Sequence, residues 1–125
     1  RNNEKIKECL ETFDLQNVAQ REVKHLALGE KRRLEIAMSI LAEPKILLLD
    51  EPLAGLSETE IKDVLDVLRL NVNKQTILIV EHKISKIDDF LERLTVMHDG
   101  KIIADGTCED CLMAPEVRKS YWQID

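Results

Sequence analysis

Two adjacent carboxylates, Asp50 and Glu51, directly follow an uninterrupted apolar run at residues 46–49. Four consecutive apolar residues without alternation predict a strand of a parallel sheet that is buried on both faces. Ligands gather at the carboxyl ends of such strands, where two carboxylates repel each other unless a cation or a polarised water makes use of them. We therefore interpret Asp50 as a ligand on the Mg²⁺ side and Glu51 as a general base. The alternative is an acidic loop that keeps the end of a core strand soluble.

His82 follows a second apolar run, residues 76–80, with only Glu81 between them. This run predicts another doubly buried strand, which would bring Glu81 and His82 to the same edge of the sheet as Asp50. A single histidine at the end of a strand is usually structural. Its predicted place beside two carboxylates favours a functional role here.

A basic turn precedes these strands in the chain. Gly29 and Glu30 lie at the predicted start of a helix, and Lys31, Arg32 and Arg33 follow at once. Unpaired N–H groups and the positive end of the helix dipole would face outward at this start, which suits an anion. The alternative is a capped surface helix with a solvated basic turn.

Two amphipathic helices must position these side chains. The first follows Gly29 and ends before Pro44, and the second follows Ser57, which can cap it. Apolar residues recur in both with a period near 3.6. The predicted buried stripes are Leu34, Ala37, Met38 and Leu41 in the first helix, with Ile36 and Ile40 beside them, and Ile61, Val64, Leu65 and Leu68 in the second.

The remaining segments complete an α/β pattern. A helix is predicted at residues 4–13, and Val18 and Val23 are expected to hold down the loop that follows it. The pair Asp99-Gly100 predicts a tight hairpin turn. The other predicted elements are a short helix at residues 84–91, hairpin strands at 94–98 and 101–104, and two short helices at 107–112 and 115–122.

Composition limits the possible functions. The 125 residues carry a formal net charge of −6, which argues against a nucleic-acid surface because such binding depends on Lys and Arg. No apolar run approaches the roughly 20 residues that span a bilayer, so a membrane role would come through a partner. We interpret Cys9, Cys108 and Cys111 as reduced thiols, since a single CxxC without further ligands is a weak zinc or redox signal.

In order and spacing, these segments resemble the C-terminal half of an ABC-type ATPase, the nucleotide-binding subunit of ATP-driven transporters. LALGE at residues 26–30 stands at the place of the LSGGQ signature, and ILLLDE at 46–51 stands at that of the Walker B strand. AGLS at 54–57 matches the D-loop, and His82 matches the switch histidine. The segments RRLEIA and EPLAGL are most similar to those of the branched-chain amino acid and urea uptake ATPases, followed by those of the lipopolysaccharide-export ATPase.

The resemblance implies an α/β fold, the C-terminal part of a P-loop NTPase domain, with a mostly parallel sheet, flanking helices and a C-terminal hairpin. It also implies roles in a pair of subunits that encloses two ATP molecules. Asp50 would hold Mg²⁺ through water, Glu51 would polarise the attacking water, and His82 would contact the γ-phosphate. The residues implied to contact the ATP held by the second subunit are Leu26, Ala27, Leu28, Gly29 and Glu30, with Ser57 from the D-loop.

Several positions depart from the family's pattern. The signature serine, which donates to the γ-phosphate in the family, is Ala27, the first glycine is Leu28, and the glutamine is Glu30. The D-loop aspartate is Ser57. Because a lost donor to a charged phosphate costs about 1.5 to 3 kcal/mol, we expect the ATP site that this chain completes in its partner to be slower than the one that holds Glu51.

No GxxxxGK[ST] motif occurs, so the backbone nest and lysine that hold the phosphates are missing from this sequence. By resemblance, the strand that carries this motif lies between the strands at 76–80 and 94–98. We therefore expect a fragment of a chain about twice as long, and the alternative is a protein of this length that closes its sheet in another way. The predicted parts are a signature helical part at residues 1–42, a catalytic core part at 43–106 and a C-terminal helical segment at 107–125.

The function implied by the resemblance is that of an ATP-binding and ATP-hydrolysing transporter subunit that imports amino acids or urea-like solutes, with ATP and Mg²⁺ as cofactors. Its partners would be a second ABC ATPase subunit, identical or different, and transmembrane permease subunits, without nucleic acid and without direct membrane insertion. It would lie in the cytoplasm on the inner face of the cell membrane. The alternatives are a soluble ABC ATPase outside transport and a truncated, non-catalytic module that binds or regulates a partner.

Overall fold

The computed structural model describes residues 2–122, except for the side chains of Asn2 and Trp122. The described residues divide into two compact units, one ending at Lys83 and one beginning at Ile84. This geometric division differs from the predicted division by function, which stays a prediction.

Unit 1 holds three helices, two strands and two short 3₁₀ turns. The helices are α1 (Asn2–Thr12), α2 (Leu28–Leu41) and α3 (Glu58–Asn71), the strands are β1 (Ile46–Asp50) and β2 (Thr76–Val80), and the 3₁₀ turns are Gln16–Val18 and Val23–His25. These bounds confirm the predicted order of elements in this part of the chain.

Strands β1 and β2 pair in parallel, from Ile46 opposite Thr76 to Asp50 opposite Val80. Their side chains alternate between the two faces of the sheet, and only the face that carries Leu47 is well covered. On the other face Leu48 is 69% exposed and Leu78 is 59% exposed. The prediction of strands buried on both faces is therefore wrong for unit 1, because its own residues cover a single face.

Helix α3 is the regular amphipathic helix of unit 1. Ser57 caps it, with its Oγ accepting a hydrogen bond from the Glu60 N–H at 3.4 Å. The predicted stripe is confirmed, since these residues are buried: Ile61, Val64, Leu65 and Leu68.

Helix α2 confirms the predicted stripe only in part. Ile36 and Ala37 are buried as predicted, and Gly29 and Arg33 are buried as well, whereas Met38 is exposed. Arg33 lies in the middle of the buried face and explains the difference. Its Nε donates to the Phe13 carbonyl at 3.0 Å, so its aliphatic stem occupies a core position that an apolar residue would otherwise fill.

The loop after α1 is held only in part by the expected residues. Val18 is half-buried and Val23 is exposed, while Phe13 and Leu15 are both buried. The Leu15 N–H donates to the Leu10 carbonyl at 2.8 Å, which closes the end of the helix. The anchor of this loop is therefore the segment immediately after α1.

Unit 2 contains the predicted hairpin and two short helices, β3 (Leu94–His98), β4 (Lys101–Gly106), α4 (Cys108–Met113) and α5 (Pro115–Trp122). Asp99 and Gly100 form the hairpin turn with φ of +47° and +73°, as their types predict. The core of this unit consists of Leu94, Val96, Cys111 and Val117.

Two details of unit 2 differ from the prediction. Strand β4 continues to Gly106, past a bulge opposite Val96 and Met97. The helix predicted at residues 84–91 is replaced by two 3₁₀ turns, Ile84–Lys86 and Asp88–Phe90. The apolar residues Ile84, Ile87 and Phe90 are three apart, which is the period of a 3₁₀ helix.

The cysteines are free thiols, as interpreted from the sequence. Cys111 is buried and its Sγ donates to the Leu94 carbonyl at 3.3 Å. Burial raises the pKa of this thiol above its usual range, so it remains protonated at neutral pH.

Among the described helices, none combines the length and the apolar character needed to cross a bilayer.

Candidate functional site

The structure brings Glu51 and His82 together at the carboxyl edge of the parallel strands. The Glu51 N–H donates to the Val80 carbonyl at 2.8 Å, which extends the ladder between β1 and β2 by one bond. The Nδ1 of His82 then lies 3.9 Å from the Oε1 of Glu51. Both side chains are more than half exposed, at 61% and 55%, so a ligand can reach them.

The backbone of Glu51 is held in an unusual conformation. Its φ is +45°, in the left-handed region that a side chain other than glycine rarely adopts. Such a conformation costs about 1 to 3 kcal/mol and concentrates at functional sites. The Glu51 carbonyl accepts the Ala54 N–H at 3.1 Å, so the chain turns sharply here and the carboxylate stands clear of the strand.

Asp50 is the last residue of β1 and is exposed. It borders an open cleft of about 190 Å³, whose lining also includes Arg32, Glu35, Ser39, Leu48 and Pro52. Within residues 2–122, no group of three or more His, Cys, Asp or Glu side chains is arranged to hold a metal ion. Mg²⁺ in ATPases is bound by one or two carboxylates and by substrate phosphates. A single exposed carboxylate therefore fits an ion that arrives with a nucleotide.

The start of α2 is closed rather than open. Ala27 is the N-cap, and its N–H donates to Glu30 Oε2 at 2.7 Å. The Gly29 N–H donates to Glu60 Oε1 at 3.1 Å, and Gly29 is buried. The expectation that this N–H is unpaired and faces outward is wrong, because a carboxylate from α3 already occupies the position of an anion. Contact of this turn with a nucleotide stays a prediction.

Glu60 joins the start of α2 to the D-loop segment. Its Oε2 accepts the Ser57 N–H at 2.9 Å and the Ser57 hydroxyl at 2.8 Å. The bonds from Ser57, followed by the one from Gly29, lower the pKa of this carboxyl. A Cβ on Gly29 would lie 2.6 Å from Oε1, so the glycine is needed for this close approach.

The other residues of the predicted signature have separate surroundings. Leu26 is buried, while Leu28 is exposed. Leu28 also borders the D-loop, since a Cβ on Gly55 would lie 3.0 Å from its Cδ2. The structure therefore brings Leu28, Gly29 and Ser57 into one neighbourhood through Glu60 and Gly55.

Two residues of the site escaped the sequence interpretation as functional candidates. Glu60 was not among the functional candidates, although its place three residues after Ser57 is the signature of a capping box. Glu81 was predicted to reach the same edge of the sheet as Asp50 but was given no role of its own, yet its side chain is fully buried. An acidic residue at the end of an apolar strand gives no sequence signal that separates a solvated group from a buried one.

Part of the chain matches a known family. Residues 1–54 match the family model described as ABC transporter. The branched-chain amino acid transport ATP-binding protein LivG of Salmonella typhimurium is 37% identical over 114 residues, which cover 90% of this chain and 45% of that protein. The lipopolysaccharide export ATP-binding protein LptB of Haemophilus influenzae is 34% identical over 119 residues, which cover 94% and 49%.

A solved structure is similar to most of the described chain. The ADP conformation of MJ1267, an ATP-binding cassette of an ABC transporter, superposes with a TM-score of 0.83 at 30% identity. The match covers 97% of this chain and 50% of that one. The predicted fold class is confirmed, and the chain spans about half the length of the curated relatives it matches.

Proposed function

We propose that this chain, which is similar to ABC transporter ATP-binding proteins over about half of their length, forms the hydrolytic half of an ATP site. The phosphate-binding loop would be supplied by a further segment or a further chain. The observation that carries the proposal is the approach of His82 to Glu51, 3.9 Å apart at the shared edge of two parallel strands.

In this proposal the exposed side chains at the strand ends act on the terminal phosphate. Glu51 orients and polarises the attacking water and accepts its proton. His82 contacts the γ-phosphate. It lies close enough to Glu51 for the two side chains to contact the same water. Asp50 holds Mg²⁺ through water, and the ion when bound neutralises phosphate charge.

The start of α2 serves the ATP site of a second subunit. Residues 26–30 and Ser57 would approach that nucleotide once the Gly29 N–H is released from Glu60. Ala27 has no hydroxyl to donate to the phosphate. We therefore expect this second site to be the slower of the two, and replacing Ala27 by Ser to raise its rate.

Amino-acid uptake is the transport process that the relatives favour, since LivG of Salmonella typhimurium is named for branched-chain amino acid transport. We infer that the partners are a second ATPase subunit and membrane permease subunits. The protein would then work at the cytoplasmic face of the membrane.

A joined protein tests the catalytic proposal. The N-terminal half of LivG is placed before residues 1–125, and LivG rejoined to its own second half is the control. The joined protein is expected to hydrolyse ATP, and Glu51→Gln is expected to slow hydrolysis by about 10²- to 10⁴-fold while ATP still binds. Glu92→Gln, which changes an exposed glutamate, is the matched control. A folded joined protein whose rate is the same with Gln at position 51 would refute the proposal.

The second candidate is a non-catalytic module that binds or regulates an ATPase subunit. It is favoured by the closed start of α2, where Glu60 already satisfies the Gly29 N–H. This candidate predicts that the folded joined protein binds its partner subunit without hydrolysing ATP.

A further inference from the structure

Glu81 is an enclosed carboxylate directly after β2. Its side chain has 0% of its surface exposed. Three backbone N–H groups donate to it, Leu53 to Oε1 at 3.3 Å, and His82 and Lys83 to Oε2 at 3.0 and 3.2 Å. A carboxylate removed from water loses its hydration, so it is tolerated only where hydrogen bonds replace that water. This side chain is therefore retained for a specific set of bonds and not for apolar packing.

The donors belong to two segments that are distant in sequence. Leu53 is 28 residues before Glu81 and lies two residues after Glu51. The other two donors form the turn that carries His82. The Glu81 carboxylate thus links two backbone segments, the one that carries Glu51 and the one that carries His82.

The strained backbone of Glu51 needs this support. The residue has a φ of +45° and is bonded on its N-terminal side to the Val80 carbonyl. On its C-terminal side, the bond from the Leu53 N–H to Glu81 holds the turn that the Ala54 N–H closes onto the Glu51 carbonyl. A left-handed residue other than glycine persists only where its surroundings fix it on both sides.

We propose that Glu81 is a positioning residue for the hydrolysis of ATP. It keeps the Glu51 carboxylate and the His82 imidazole close together by fixing the backbone segments that carry them, and it does not touch the nucleotide. This inference rests on the function proposed above for Glu51 and His82.

Two substitutions separate the features of Glu81 that matter. Glu81→Gln keeps the size but has a single accepting oxygen. The two adjacent N–H donors of His82 and Lys83 hold that oxygen, so the NH₂ group faces the Leu53 N–H and this bond is lost. Glu81→Asp keeps both oxygens on a stem that is shorter by one carbon. The shorter stem withdraws first from Leu53, the distant donor, and least from the adjacent N–H groups.

Hydrogen exchange of the 125-residue chain, resolved by NMR, tests the contact without any need for activity. The Leu53 amide of the unchanged chain is expected to exchange at least about tenfold more slowly than a free amide. Both substitutions are expected to remove this protection, while Val64 and Leu68 in α3 keep theirs and Glu92→Gln changes nothing. Free exchange of Leu53 in the unchanged chain, or protection that survives Glu81→Gln, would overturn the proposal.

The joined protein tests the positioning role. With rates normalised to folded protein, Glu81→Gln is expected to lower kcat by about 10²-fold and to change the KM for ATP by less than about threefold, because only the transition state is affected. Glu81→Asp, which also loses the bond from Leu53, is expected to lower kcat in the same direction with a similarly small change in KM. An unchanged kcat in Glu81→Gln overturns the role. If the joined protein with Glu81 intact does not hydrolyse ATP, the proposed function fails, and the exchange experiment still decides the Glu81 contact.

Discussion

Gly29 sits in the first turn of α2 with the Glu60 carboxylate against its Cα. Alanine in a helix normally gains about 1 kcal/mol over glycine. Here the added Cβ would displace Glu60 and break its bond to the Gly29 N–H, so we expect Gly29→Ala to leave the free energy of unfolding unchanged or lower. Denaturant unfolding of the chain measures this change.

The matched control is the same substitution in a Glu60→Ala background. With the carboxylate gone, Gly29→Ala is expected to regain its ordinary stabilisation of up to about 1 kcal/mol. An equal gain in both backgrounds would show that Glu60 does not occupy the start of α2 in solution.

Asp105 gives the hairpin of unit 2 a dependence on pH. Its Oδ1 accepts bonds from Arg93 Nε and from the Thr95 hydroxyl, each at 2.9 Å. The bonds from Arg93 and then from Thr95 lower the pKa of this carboxyl from 3.8 to about 2. Because the native pKa lies below the unfolded one, the stabilisation is complete above about pH 4 and is lost as the pH falls toward 2.

Amide exchange in β3 and β4 between pH 6 and pH 2 tests this dependence. Asp105→Asn is expected to reduce protection at pH 6, and its difference from the unchanged chain should close as the pH approaches 2. Asp99→Asn is the control, since Asn suits the left-handed turn at that position. A difference that stays constant with pH would rule out ionisation of Asp105 as its cause.

At the scale of elements, the sheet of unit 1 leaves an apolar face uncovered. Leu48 lies directly opposite Leu78, and Ile46 and Val80 on the same face are also exposed. Contiguous exposed apolar surface promotes association. We expect Leu48→Lys combined with Leu78→Glu to reduce self-association of the chain in sedimentation velocity, because the new side chains form an opposite-charge pair across the strands.

Leu47 on the covered face provides the contrast. Leu47→Ala is expected to lower the free energy of unfolding by about 2 to 5 kcal/mol, whereas the Leu48 and Leu78 pair should change it by no more than about 0.5 kcal/mol per site. Association that persists in the paired variant would place the contact elsewhere on the chain.

The N-cap of α2 is the second element to test. Ala27 has the extended backbone of an N-cap, with φ of −64° and ψ of 160°, but no side-chain oxygen. Ala27→Ser is expected to raise the free energy of unfolding by about 0.5 to 2 kcal/mol. Ala42→Ser at the other end of the helix is the control and should change it by less than about 0.5 kcal/mol. No gain from Ser at position 27 would mean that the bond from the Gly29 N–H to Glu60 already satisfies the first turn of the helix.

The elements show what the sequence could and could not predict. The stripe of α3 was predictable because Ile61 to Leu68 alternate with polar residues on a helical period. The burial of Arg33 in α2 was not predictable, because it depends on the Phe13 carbonyl, 20 residues earlier. Likewise, the pattern of β1 does not reveal whether a second layer covers Leu48. The pairing of Glu51 with His82 followed from parallel strands alone, whereas the burial of Glu81 depends on a distant backbone N–H.

At the scale of the whole molecule, the described residues include the strand ends with Asp50, Glu51 and His82 but do not include a phosphate-binding loop. The two sheets within residues 2–122 are each two-stranded, β1 with β2 and β3 with β4. The GxxxxGK[ST] motif is missing from the sequence. A nucleotide would therefore meet Asp50, Glu51 and His82 without the backbone nest that supplies most phosphate contacts.

This arrangement predicts that the chain alone binds Mg²⁺ and ATP too weakly for these ligands to raise its free energy of unfolding measurably. With a Kd above about 10 mM, about 1 mM ATP would raise the free energy of unfolding by less than about 0.1 kcal/mol, a change too small to detect by thermal unfolding. In the protein joined to the N-terminal half of LivG, ATP at about 100 times its Kd would add about 2.7 kcal/mol. ADP and the Glu51→Gln variant separate binding from hydrolysis in the same assay. Clear stabilisation of the chain alone by ATP would show that its own residues build a complete nucleotide site, and a separate phosphate-binding segment would then be unnecessary.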